Sequence, residues 1–402
     1  MKKIFIMLVA VFLLSGCNSN NTVPKILDLT GKSLDFVTDY AESNDLILKI
    51  EQIYHDKIPA DKIVSQSIAK NNEIKKGDVL TVAVSLGQDL THVYQTKKVN
   101  ELGNIPVMMY HNIVNKTSSE TKYTGGNVDA SGYSRTVEAF KQDLEFYYQS
   151  GYRMIRLSDY MNGIINVELG KSPIVLTFDD GNKDNMNILG LDDKGELIID
   201  PNCAVGILES FKSKYPDFFV TATFFLHSSL FGQTKYNDKI LKWLVDNNYD
   251  IGNHTKNHID FTKIDSTKTQ AEVAYMYKLF DSIIPNKYIH VVALPFGSPY
   301  KKTHENFSYI IEGESDGYSY KTDATLRVGW DADYSPFHKN FDKTFMKRVR
   351  AWDNNGVEFD IEYVFKNLEE NRYISDGKAD TIVISNDTNL NINIKNKKII
   401  KY

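Results

Sequence analysis

Two stretches of the chain concentrate side chains able to do acid–base or metal chemistry. The first is PIVLTFDDGNKDN, residues 173–185, where an apolar run stops at two adjacent carboxylates and a glycine. Asp and Gly are ordinary turn residues, so the run can simply be turning there. It can equally present Asp179 and Asp180 at the mouth of a cleft. The second stretch is DIGNHTKNHID, in which His254 and His258 stand four residues apart. On a helical turn that spacing puts both imidazoles on one face, within reach of one metal ion. Nine histidines in 402 residues make a single such pair unremarkable by itself. A carboxylate added to the pair completes an open His₂Asp set, the pattern of catalytic rather than structural zinc.

The elements around these residues decide how they can meet. From residue 105 onward, apolar strand-like runs alternate with amphipathic helical patterns. IPVMMYHNIV, PIVLTF, VTATFFL and YIHVVALPFG read as strands, and TIVISN as the last strand. TVEAFKQDLEFYYQSG, NDKILKWLVDNNY and AEVAYMYKLFDSII read as helices. Alternation of this kind predicts parallel βαβ units in an α/β sheet or barrel. Ligands in such folds sit at the C-terminal ends of the strands, and Asp179 and Asp180 are at one such end. Residues 189–203, with a DDKGE centre, read as a hairpin-like insertion, and the tail LNINIKNKKIIKY as a terminal edge strand.

Residues 23–87 have their own logic: one helical segment after Thr30-Gly31, then strand-like LILKIEQIY, KIVSQSI and VLTVAVSLG. This stretch resembles a PASTA domain on DLTGKSLD, IVSQSIAKNNEIKKGD and the closing VLTVAVSLG. The resemblance implies a small extracellular α+β module associated with peptidoglycan, or one acting as a spacer. Residues 88–104 are polar and weakly patterned and read as a linker.

The N-terminus carries Lys2 and Lys3, an apolar run at 4–14 too short for a lasting span, and then LLSGC,. LLSGC resembles a bacterial lipobox, which implies lipidation of Cys17, a membrane tether and an extracytoplasmic, lipid-anchored chain. The ordinary alternative is a secretory signal with an incidental cysteine. Cys203 is the only other cysteine. With Cys17 carrying lipid, no disulfide is available, and Cys203 reads as a buried small hydrophobe. The formal charge of −5 and the absence of a basic block exclude nucleic acid as the expected partner,.

LTFDDG, ATFFL and GNHTKNH together resemble the NodB-homology polysaccharide deacetylases, carbohydrate esterase family four, from about residue 105 to Asp387. The resemblance implies a distorted (β/α) barrel at 105–402 and a divalent metal, Zn²⁺ first and Co²⁺, Ni²⁺ or Mn²⁺ after it. It assigns Asp179 as general base and Asp180, His254 and His258 as metal ligands. ALPFG resembles the family's Arg-x-Pro-Phe/Tyr motif, which implies Pro295 and the Phe296 backbone N–H at the oxyanion. The chain departs from the pattern at two places. Ala293 stands where an arginine braces the base, leaving Arg348 and Arg350 as candidate replacements, each otherwise an ordinary surface charge. Asn386 stands where a histidine protonates the leaving amine, leaving His111, His227, His290, His304 and His338 as substitutes if the fold brings one near. GWDADY offers Asp331 or Asp333 as a supporting acid.

The resemblance implies N-deacetylation of an N-acetylhexosamine polymer, with peptidoglycan the first substrate and poly-N-acetylglucosamine the second. The departures keep two alternatives open: a wall-binding lipoprotein with a retained metal site, and an O-deacetylase that needs a weaker acid. Nothing in the sequence fixes the oligomeric state.

Overall fold

The computed structural model describes residues 23–116, 131–329, 331–353, 360–386 and 397–402. Cys17 lies outside them. The chain forms two compact units that divide between Thr96 and Lys97.

In the first unit, Ser33 caps helix α1 (Leu34–Ser43), its hydroxyl accepting the Phe36 N–H,. Strands β1 (Ile47–Ile53), β2 (Ile63–Gln66) and β3 (Val79–Ser85) make one sheet with β3 central, parallel to β1 and antiparallel to β2. Leu80, Val82 and Val84 alternate along β3 and therefore share a face. With Ile26, Leu29, Val37, Ala41 and Ile63 they form a core of their own. This is the helix on three strands that the pattern predicts.

The second unit is built on an eight-stranded sheet. Its strands are β4 (Val107–Tyr110), β5 (Tyr152–Met154), β6 (Ser172–Phe178), β9 (Thr223–Leu226), β10 (Asp250–Asn253), β11 (Val291–Ala293), β12 (Ala324–Leu326) and β13 (Val349–Arg350). The hairpin strands β7 (Ile188–Leu191) and β8 (Leu197–Ile199) stand apart from it, as the insertion predicts. The order is β12-β11-β10-β9-β6-β4-β13, with β5 also on β6, and every pairing is parallel. Met346, just before β13, bridges Leu326 of β12. The curved sheet is thereby drawn into a distorted barrel.

Period-two alternation divides the sheet's side chains between two cores. Met108, Tyr110, Ile174, Leu176, Phe178, Phe224 and Ile251 pack among the helices α2 (Val137–Gln149), α3 (Ala204–Lys214), α4 (Asn237–Asp246) and α5 (Ser266–Ile283). Val107, Val175, Phe225, Val291, Ala293 and Leu326 form the other core. Strand β6 is buried along its whole length, which is why its sequence runs apolar without alternating,. Cys203 is buried and also caps α3, its sulfur accepting the Gly206 N–H.

Two expectations need correction. The segment read as a linker carries a helix, Thr91–Lys97, followed by buried Val99 and Glu101. The TIVISN run is a strand, β14 (Thr381–Ile384), but not a strand of the barrel sheet. It pairs in parallel with β15 (Lys398–Lys401) in a separate two-stranded sheet. Of the tail read as an edge strand, residues 390–396 lie outside the described residues, and Lys398–Lys401 form β15.

Candidate active site

The chemistry-bearing side chains come from the C-terminal ends of neighbouring strands. His111 follows β4, Asp179 and Asp180 follow β6, His227 follows β9, His254 follows β10, and Pro295 follows β11 closely. Asp180 and Gly181 both have left-handed backbones, at φ 72° and 61°. The turn reading of Asp-Asp-Gly is therefore right for the backbone. A Cβ at position 181 would also lie 2.7 Å from the Leu226 side chain.

Asp179 is 1% exposed, and a buried carboxylate needs a partner,. Arg348, 0% exposed, supplies one as a two-point pair, Nη1 to Oδ1 and Nη2 to Oδ2, each at 2.7 Å. Arg348 also donates through Nε to the Arg327 carbonyl at 2.8 Å and through Nη1 to the Thr177 hydroxyl at 3.2 Å. Burial opposes the charge on Asp179, but the Arg348 guanidinium and then His254 outweigh it and hold the carboxyl below its ordinary range,. The surface reading of Arg348 is thus overturned: this residue, just before β13, is the arginine that pairs with Asp179. Arg350 goes elsewhere, donating to the Ser131 carbonyl and lying over the rings of Tyr133 and Trp352.

Of the five substitute histidines, His111 comes nearest to Asp179, its Nε2 3.9 Å from Oδ2. Its ring meets Tyr133 edge-on at 4.7 Å, and its carbonyl accepts from Asn185 Nδ2 at 2.6 Å. Burial lowers its pKa, against the pull of Asp179 and Asp180. His227 is half-buried, and burial and then His254 lower its pKa against the pull of Asp180. His290 is stacked with both Tyr277 and Tyr288, His304 accepts the Asn306 N–H, and His338 is stacked on Tyr334. Asn386 is exposed at the end of β14, its N–H on the Tyr402 carbonyl, so position 386 does not serve the site. Asp333 is buried where its strand pairs with Asn104–Ile105, and Asp331 is exposed. Neither is a partner of Asp179.

One ligand atom from each of Asp180, His254 and His258 falls within a 4.8 Å group. The pair does not sit on a helical turn. A loop with left-handed Thr255 (φ 63°) and His258 (φ 49°) brings the two rings to 4.8 Å. His254 Nδ1 donates to the Ala293 carbonyl at 2.8 Å, so in its neutral form the ring turns the Nε2 lone pair towards Asp180 Oδ1, 3.3 Å away,. Burial opposes a charge on this ring, but Asp179 and then Asp180 outweigh it and raise its pKa while no cation lies there,. His258 Nε2 is 3.4 Å from the same oxygen. Nε2 of His254 is buried and without a hydrogen-bond partner. Two lone pairs and a carboxylate oxygen converging on one point repel unless a cation lies between them, and this donor set suits zinc. Burial and then His254 lower the His258 pKa to about 4, so that ring is neutral and able to ligate at neutral pH.

Beyond the triad, Phe296 has φ 58° and a side chain 55% exposed, its ring edge-on to His258 at 4.6 Å. It lies in the turn Pro295–Gly297 that follows β11. Sequence reasoning missed Glu272 and Asn253, which hold the His254–His258 loop. Its one usable signal for His111 was an apolar run ending at a histidine, the same strand-end cue that singled out Asp179 and Asp180.

Residues 166–309 match the polysaccharide deacetylase family model, residues 24–86 the PASTA domain, and residues 1–18 the prokaryotic membrane lipoprotein lipid attachment site. No curated protein is a significant match to the chain. Among solved structures, the chain is similar to Streptococcus pyogenes deacetylase PplD in complex with acetate, at 17% identity and TM-score 0.47 over 67% of this chain and 99% of that one. It is similar to BC0361, a polysaccharide deacetylase from Bacillus cereus, at 16% identity and TM-score 0.44 over 66% and 69%. It is also similar to the three-PASTA-domain of a Ser/Thr kinase from Staphylococcus aureus, at 16% identity and TM-score 0.15 over 44% and 94%.

Proposed function

We propose that this lipid-anchored, extracytoplasmic chain, which carries a polysaccharide deacetylase domain and a PASTA domain, removes N-acetyl groups from N-acetylhexosamine units of peptidoglycan. The observation that carries the reading is the buried Asp179–Arg348 pair standing beside a His₂Asp triad. A pure wall binder has no use for a braced, ionised base next to a metal-type donor set. The PASTA match and the lipid anchor favour wall glycan, with poly-N-acetylglucosamine second.

Asp180, His254 and His258 would hold a divalent cation, zinc first, which when bound polarises the acetyl carbonyl and acidifies the attacking water. Asp179 stays outside that set and accepts the proton of the water. Arg348 keeps Asp179 ionised and fixes both its oxygens, so one carboxylate face is presented in one orientation. His111 lies within one water of Asp179 and, neutral at rest, passes the proton on to the leaving amine. The Phe296 N–H is the donor assigned to the developing oxyanion. A histidine beside the base removes the reason for preferring an ester substrate, which the apparent loss of the acid had suggested.

The test is acetate release by the detergent-solubilised lipoprotein from peptidoglycan, poly-N-acetylglucosamine, chitooligosaccharides and an O-acetyl ester. Release from the N-acetyl substrates, greatest from peptidoglycan and abolished by a chelator, is expected. Turnover of the ester alone would replace this reading with O-deacetylation. Metal binding with no acetate from any substrate would replace it with a wall-binding role.

A further inference from the structure

Between His254 and His258 the backbone enters the left-handed region at Thr255, and it does so again at His258 itself. Non-glycine residues hold such conformations only where their surroundings over-determine them. The surroundings here are the first half of α5. Asn253 donates from Nδ2 to the Val273 carbonyl at 3.0 Å and accepts the Thr255 N–H at 2.8 Å. The Lys256 N–H donates to the Glu272 carbonyl at 3.1 Å. The Glu272 side chain, 0% exposed, takes both donors of Asn257: the backbone N–H on Oε2 at 2.8 Å and Nδ2 on Oε1 at 2.7 Å. Lys268 on the same helix sits 3.3 Å from Oε1.

This carboxylate is spent on the residue immediately before His258. The two histidines differ in how their rings are fixed. His254 is oriented by its own bond to the Ala293 carbonyl, whereas among the described residues His258 Nδ1 has no hydrogen bond. Among the described residues the His258 ring meets His254 and Phe296 edge-on and brings Nε2 to 3.4 Å from Asp180, with no hydrogen bond to fix it, so its direction follows from its backbone.

We propose that Glu272 is a positioning residue of the metal centre: by clamping Asn257 it sets the His258 backbone, and so aims Nε2 at the point shared with Asp180 and His254. The inference rests on the reading of the triad as a metal site. Its physical effect is preorganisation. With the clamp in place the loop is ordered before the cation arrives. Without it, binding must also order the loop, and affinity falls by that amount.

The test is the Zn²⁺ dissociation constant of the detergent-solubilised full chain, measured by competition with a chromophoric chelator, with urea unfolding alongside. Glu272→Ala is expected to weaken Zn²⁺ binding by about 10–100-fold, the range for outer partners of metal ligands. Val273→Ala, at the next buried position, is expected to lower stability and leave affinity unchanged. Asn257→Ala should lose as much affinity as Glu272→Ala, and the double variant no more than either, because both substitutions open one clamp. If Glu272→Ala does not fold, Glu272→Gln, which keeps one acceptor oxygen, must still bind more weakly than wild type. Wild-type affinity in a folded Glu272 variant, or an equal loss in Val273→Ala, overturns the proposal. A wild-type chain that binds no Zn²⁺ overturns the triad reading instead.

Discussion

Asp179 is held by one guanidinium 169 positions away in the chain, and the consequences are testable on that pair. Removing one partner of a buried ion pair strands the other, so Arg348→Ala should lose about 3–5 kcal/mol in urea unfolding. Arg348→Lys keeps the charge but not the planar two-point grip, and its kcat for acetate release should fall by about 10²-fold through misplacement of the base. His111→Gln should lower kcat by about 10²–10⁴-fold with metal content unchanged. The acids could be read in the sequence because they sit where an apolar run stops. The histidine pair could be read by its four-residue spacing, although a loop and not a helical turn brings the rings together. The brace could not, because which arginine meets Asp179 depends on where β13 closes the sheet. Ala293 stands where the resemblance placed an arginine, and the guanidinium that meets Asp179 comes instead from the residue just before β13.

At the scale of elements, the strand that delivers His254 depends on a missing side chain. A Cβ on Gly252 would lie 2.4 Å from the Phe225 ring on β9. Gly252→Ala should therefore cost about 1–3 kcal/mol of overpacking and weaken Zn²⁺ binding in the same chelator competition, because the ring can yield only by shifting β10. A second element-level device lies at Glu101. Its carboxylate accepts from Tyr373 Oη, Asp376 N and Val383 N, and so ties the segment before β4 to β14. Burial, and then Asp376, push its pKa up to about 8 from 4.5. The folded state thus holds a proton that the unfolded state releases. The stability this contributes is fully present below 4.5 and lost as pH rises through about 8,. Urea midpoints should decline over that window, and Glu101→Gln should flatten the decline. Helix and strand periods made the βαβ order legible. They did not show that β14 leaves the barrel, because its apolar run pairs with a partner strand beyond it rather than with β4 or β12.

For the molecule as a whole, the sequence divides its tasks along the chain. The match to the lipid attachment site precedes the match to the PASTA domain, and the match to the polysaccharide deacetylase model follows. Among the described residues no helix is long and apolar enough to cross a membrane. The central claim is that Asp180, His254 and His258 hold a metal while Asp179 works beside it as the base. It is tested most directly by measuring bound zinc and acetate release from peptidoglycan on the same preparations of wild type, Asp179→Asn and His258→Ala. The account predicts about one zinc per wild-type chain with acetate released, zinc retained but acetate lost in Asp179→Asn, and both lost in His258→Ala. Acetate release surviving in Asp179→Asn, or zinc content unchanged in His258→Ala, would contradict it.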